Sequence, residues 1–109
     1  MEVKNGIFKL TLTNGALIGT YTNEHCDGMY YPDCAKIKYG EIIIEPFEGN
    51  YDYAWFEKDD TAKNADLTIK ATDGIYALEW TDKINHKLIF KGIGQREGNT
   101  LYGTYVSSN

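Results

Sequence analysis

No cluster of basic residues, no long apolar run and no cofactor signature occurs in this chain, and each absence removes a class of function. Eleven Lys and Arg stand against sixteen Asp and Glu, a formal charge of -5, and the basic residues are dispersed singly among polar and acidic neighbours. Phosphate backbones need a positive footprint, so no nucleic-acid partner is expected. Short apolar runs such as Ile42 to Ile44 fall far below the ~18 residues that a bilayer-spanning helix needs, so no membrane partner is expected either. Met1-Glu2-Val3-Lys4-Asn5 has neither the basic flank nor the apolar stretch of a signal peptide. Cytoplasmic residence is the resulting expectation, with secretion the alternative if a leader has been removed. Gly92-Ile93-Gly94 lacks the third glycine and the strand-to-helix setting of a dinucleotide loop, and no cofactor is expected.

Cysteine is scarce, with two residues. Both lie in the segment from His25 through Cys26 to Cys34, where His, Cys and Asp concentrate. Seven residues between the thiols is not a usual zinc spacing, which leaves His25, Cys26 and Cys34 as weak metal candidates. Free structural thiols are the first reading, and a disulfide the second if the compartment is oxidising.

What the chain does have is aromatic side chains: nine Tyr, four Phe and two Trp in 109 residues. Aromatics favour strands, and Tyr and Trp favour sites that are apolar at one end and wet at the other. A chain of this length forms one domain and buries roughly 60 to 70 % of the surface exposed when unfolded, enough for a single core.

Two-residue alternation runs through most of the sequence, and no window shows helical periodicity. Strands are predicted over Gly6 to Thr13, Ala16 to Thr22, Cys34 to Tyr39, Glu41 to Phe47, Tyr51 to Glu57, Asp66 to Thr72, Ile75 to Thr81, Lys87 to Ile93 and Thr100 to Ser107. Asn14-Gly15, Asp73-Gly74 and Gly98-Asn99 are turn signals between them. Asn23 to Asp33 and Lys58 to Ala65 read as loops.

Two motifs repeat within this pattern. Leu-x-Gly-Thr-Tyr occurs at Leu17 to Tyr21 and at Leu101 to Tyr105, and Gly-x-Tyr-x-x-x-Trp at Gly49 to Trp55 and at Gly74 to Trp80. Eight or nine short, sequentially adjacent strands would leave two exposed edges unless the meander closed on itself. The expected fold is therefore an all-β, antiparallel up-and-down barrel of about eight strands, with a two-sheet β-sandwich as the alternative. Gly19, Gly92, Gly94 and Gly103, all inside strands, fit sharp bends or close backbone approaches. If the first and last strands pair, Tyr21 and Tyr105 should lie near each other.

Asn14 to Thr22, with its Gly19-Thr20-Tyr21 string, resembles a strand of the avidin and streptavidin family, and Ala77 to Trp80 with Phe90-Lys91-Gly92 is loosely similar to that family's later Trp-bearing strand and its successor. The resemblance covers about a third of the chain and implies a calycin-like barrel related in architecture to the lipocalins. It further implies pocket roles for Tyr21 and Trp80. The family's opening and final strands have no counterpart here, so biotin is not the implied ligand.

The expected site is the barrel interior, lined by Tyr21, Tyr39, Tyr53, Trp55, Tyr76, Trp80 and Tyr105. In such a site a small, partly apolar ligand, hydrophobic or aromatic, would be held without chemistry. Core filling by the same rings is the plain alternative, because eight strands enclose little more than their own side chains. Two other functions compete. An acidic, aromatic-rich exterior suits a protein partner or a homo-oligomer, and Glu79 and His86 with the tyrosines are the acid-base candidates for an enzyme.

Overall fold

The computed structural model describes residues 5–41 and 45–108. Eight strands follow one another: β1 (Gly6–Thr13), β2 (Ala16–Asn23), β3 (Tyr31–Ile37), β4 (Gly49–Phe56), β5 (Ala62–Thr72), β6 (Ile75–Thr81), β7 (Leu88–Glu97) and β8 (Thr100–Ser107). Each pairs antiparallel with the next, and β8 returns to pair with β1, so the sheet is a closed barrel. Closure settles the choice between barrel and sandwich. Among the described residues there is no helix, and hence none long and apolar enough to cross a membrane.

The β1–β2 and β5–β6 hairpins have the geometry their residues demand. Asn14 and Gly15 have φ of 49° and 81°, and Asp73 and Gly74 have 53° and 80°, the double left-handed form that matches the twist of the strands they join. Some strand limits differ from the sequence expectation. β3 begins at Tyr31, taking in Pro32 and Asp33 from the predicted loop; Pro32 is exposed and near the strand start, where a missing donor is tolerated. β5 begins at Ala62 and β7 continues to Glu97. The strand expected over Glu41 to Phe47 does not form at Glu41 or at Glu45, Pro46 and Phe47, which are loop and turn; Ile42 to Ile44 lie outside the described residues.

Alternation places Phe8, Leu10, Leu17, Ala35, Leu67, Ile69, Leu78 and Leu101 inside, each at most 1 % exposed. The in-strand glycines allow the wall to curve this tightly. A Cβ on Gly103 would stand 2.0 Å from the Ile93 carbonyl oxygen and 2.6 Å from the Gly94 Cα. On Gly92 it would meet the Trp80 ring at 3.0 Å, and on Gly94 the Phe8 ring at 3.0 Å. The missing side chains make room for two large rings.

The two ends of the barrel differ. One carries the β1–β2, β3–β4, β5–β6 and β7–β8 connections and is plugged by Phe47, which is 1 % exposed. Tyr51 donates to the Phe47 carbonyl at 2.9 Å, the Tyr76 ring lies 6.0 Å from that of Phe47, and the Arg96 guanidinium stacks over Phe47 at 5.7 Å. Tyr76 also donates to Glu45 Oε1 at 2.6 Å. The other end, formed by the β2–β3, β4–β5 and β6–β7 connections, is the mouth.

On the outside, Asp52 and Asp66 are directly opposed on β4 and β5, an arrangement that repels unless compensated. Lys38 and Lys83 each contact both Oδ1 atoms, at 2.6 to 3.0 Å. Their ammonium hydrogen bonds hold both carboxyls below the usual carboxylate range.

Gly103→Ala is expected to destabilise the barrel by about 2 to 3 kcal/mol, because the new Cβ meets backbone on the neighbouring strand. Urea unfolding measures this, and an unchanged midpoint would contradict the close β7–β8 approach.

Candidate functional site

Inside the mouth is a pocket of about 560 Å³. Its walls are Phe8 from β1, Tyr21 from β2, Tyr53 and Trp55 from β4, Trp80 from β6, Phe90 from β7 and Tyr105 from β8. Trp80 is the hub, with ring centroids of Tyr53, Phe8, Tyr105 and Phe90 at 5.8, 5.9, 6.0 and 6.4 Å. Three of these four contacts are edge-to-face or nearly so, the orientation that ring quadrupoles prefer. A register shift between Trp80 and Thr81 in the β6–β7 ladder leaves an extra residue on β7 at the mouth, where bulges commonly re-aim side chains.

The repeated motifs now have a spatial meaning. β2, β4, β6 and β8 all run from the plugged end toward the mouth. In the Gly-x-Tyr-x-x-x-Trp copies, Tyr51 and Tyr76 therefore sit at the plugged end while Trp55 and Trp80 reach the pocket. In the Leu-x-Gly-Thr-Tyr copies, Leu17 and Leu101 are core, and Tyr21 and Tyr105 reach the pocket from either side of β1. Tyr21 and Tyr105 are thus joined through one cavity, as pairing of the first and last strands requires.

Buried phenols need partners, and all three in the pocket find them in the protein. Tyr21 donates to the Phe56 carbonyl at 2.5 Å, reaching past β3 to β4. Tyr105 contacts the Thr22 carbonyl at 3.4 Å and accepts from Asn23 Nδ2 at 3.0 Å, reaching past β1 to β2. Tyr53 donates to Asp33 Oδ2. Burial is the leading cause of the raised pKa of each phenol, which reaches about 12 at Tyr105.

Two polar atoms in this region have no partner among the described residues: Trp80 Nε1 and Asp33 Oδ1. Asp33 is an inward-facing carboxyl on β3, 4 % exposed. Desolvation raises its pKa to about 6, outweighing the opposing effect of the Tyr53 hydroxyl.

The expected site residues divide. Tyr21, Tyr53, Trp55, Trp80 and Tyr105 come together in the pocket. Tyr39 does not: the chain turns after Ile37, and Tyr39 is wholly exposed there, off the inward face. Tyr76 is buried but belongs to the plug. His25 and Cys26 line the pocket, whereas Cys34 faces outward and is exposed; both thiols are free. Among the described residues no group of three or more His, Cys, Asp and Glu is placed to hold a metal ion. Glu79 points outward on β6, and His86 sits exposed in the β6–β7 turn with φ of 62°. Neither reaches the interior, so the acid-base pair proposed from sequence does not assemble there.

Phe8, Asn23, Asp33 and Phe90 were not singled out from sequence. Phe8 and Phe90 stand in alternating strands that do predict an inward ring. Asp33 gave no signal, since its Pro-Asp setting reads as a loop.

Comparisons with known proteins add no family: no family model matches the chain, and neither a curated protein nor a solved structure is significantly similar to it.

Because Asp33 has a folded-state pKa of about 6 against 3.8 for the free side chain, its contribution is fully present when the acid is protonated and is lost as pH rises through 6. The loss is on the order of 2 to 3 kcal/mol above pH 7. Asp33→Asn is expected to raise Tm at pH 7.5 by about 8 to 13 °C, with the gain vanishing near pH 3.5. Melting curves across that range provide the check; a pH-independent difference would rule out the buried acid.

Proposed function

We propose that this protein binds a small, largely apolar molecule in the mouth of the barrel and performs no chemistry on it. The observation that carries the reading is the 560 Å³ pocket walled by seven aromatic residues, in a barrel whose opposite end is plugged. A fold that only needed to fill its interior would have no reason to seal one end with Phe47, Tyr51 and Tyr76 and to leave rings around a cavity at the other. Pockets for small molecules are of this size and character, mostly apolar with a few placed polar groups. Here the lining residues supply them as the Tyr21, Tyr53 and Tyr105 phenols and Asn23. The partial resemblance to the avidin family agrees with this reading at the two positions it singles out, since Tyr21 and Trp80 both line the pocket. A calycin-like, ligand-carrying barrel is the class proposed.

N-phenyl-1-naphthylamine, an uncharged fluorescent probe, tests the reading. Saturable one-to-one binding is expected. Phe90→Ala, which removes a ring lying 5.4 Å from Tyr105 and 6.1 Å from Trp55, is expected to weaken it about tenfold, or 1.4 kcal/mol. Far-UV circular dichroism should stay unchanged. Non-saturable binding, or identical affinities for both proteins, would defeat the proposal.

A second reading, a protein-binding or self-association face, draws support from the outer wall. Ile7 and Ile93 flank Thr104 in one row across β1, β8 and β7 and are 52 % and 56 % exposed. Tyr102 and Val106, on either side of Thr104 along β8, are exposed as well, making one apolar patch. If this patch pairs two copies, sedimentation velocity at rising concentration should reveal a dimer that Ile7→Lys abolishes; a monomer throughout removes the self-association form of this reading.

A further inference from the structure

We propose that the pocket selects organic cations, namely alkylated or protonated amines carried on a partly apolar body. The inference rests on the pocket reading above and adds the charge class of its ligand. Three independent features favour a cation. Seven aromatic residues stand around one cavity, and a cation within about 6 Å of a ring face is attracted by the ring quadrupole, most strongly by Trp. The mouth is acidic. Glu24 and Asp27 from the β2–β3 connection and Glu57 and Asp59 from the β4–β5 connection line it, against the single lysine Lys58. Lys58 is held by Asp27 at 2.7 Å across the two connections, so that pair is neutral and Glu24, Glu57 and Asp59 carry the excess. Such a mouth concentrates cations and repels anions.

The third feature lies inside the barrel. Asp33 is 4 % exposed, and while Oδ2 accepts from the Tyr53 hydroxyl, Oδ1 has no partner among the described residues. Tyr53 is itself a wall of the pocket, and Asp33 stands directly behind it, one hydrogen bond away and not among the lining residues. A buried carboxylate with an unused oxygen is costly unless a positive charge compensates it, and among the described residues no lysine or arginine does so: Lys38 and Lys83 are occupied on the outer surface, and Arg96 is at the plugged end. A cationic ligand against Tyr53 would bring a positive charge close to this carboxylate, acting through space across the phenol.

Three soluble probes of similar size separate charge from shape: benzyltrimethylammonium, the neutral N,N-dimethylbenzamide and the anionic phenylacetate. Both tryptophans of the chain, Trp55 and Trp80, line the pocket, so intrinsic fluorescence reports the site directly. Benzyltrimethylammonium is expected to bind at least ~10-fold more tightly than the amide, and phenylacetate more weakly than either. Asp33→Asn should reduce the preference for the cation over the amide about tenfold and leave amide binding unchanged. The triple variant Glu24→Gln, Glu57→Gln, Asp59→Asn should weaken the cation alone.

Amide binding as tight as the ammonium, or tighter, overturns the cation assignment and assigns selection to the Trp80 N–H, with the pocket itself intact. Binding of none of the three likewise overturns it, while the pocket is judged separately by the uncharged naphthylamine probe. A cation preference that survives both sets of substitutions removes the carboxylates from the explanation and defeats the proposal in this form.

Discussion

Everything in this molecule depends on the ladder between β1 and β8. That pairing joins residues nearly the whole chain apart, so it is the last contact that local sequence can favour and the most expensive in chain entropy. In return it removes both sheet edges and creates an interior. Its tightness is visible where Tyr105 lies on Gly6: a Cβ on Gly6 would stand 2.2 Å from the tyrosine ring. The same closure sets β1, which carries Phe8, between the strands that carry Tyr21 and Tyr105, so the ladder that completes the sheet also completes the wall of the pocket.

The asymmetry between the ends follows from direction. In an eight-strand meander the even strands all point one way, so a motif repeated on even strands delivers its first residue to one end and its last to the other. Tyr51 and Tyr76 are thereby spent on the plug, whereas Trp55 and Trp80 are spent on the mouth. Hydroxyl bonds from Tyr21 and Tyr105, each reaching past one strand to the next, brace that open end where no plug holds it.

Aspartate illustrates how environment, rather than residue type, sets the electrostatics. Asp52 and Asp66 share two lysines on the outer wall and are held low in pKa. Asp33, turned inward with one phenol for company, is pushed up to about 6. The first arrangement stabilises above the ordinary carboxylate range and is lost in acid, and the second does the opposite. A carboxyl that weakens the fold at neutral pH makes sense at a place where something else contributes the compensating charge.

Alternation, turn chemistry and the in-strand glycines were enough to read eight strands and their meander from sequence, with closure expected and a sandwich left as the alternative. These are local rules: period two decides which side chains face inward, Asn-Gly and Asp-Gly decide where the chain reverses, and a glycine between apolar neighbours marks where backbones meet. Five of the seven residues expected in the site were legible for the same reason, since each is an aromatic on an inward face. Tyr39 was misplaced because alternation says nothing about where a strand stops, and Tyr76 because it says nothing about which end of the barrel a residue occupies. Asp33 was invisible until β3 was seen to start at Tyr31 and turn it inward. The sequence alone determined an antiparallel meander of short strands. Only the tertiary structure decided which end stays open and which carboxyl is buried there, because both depend on contacts between strands far apart in the chain.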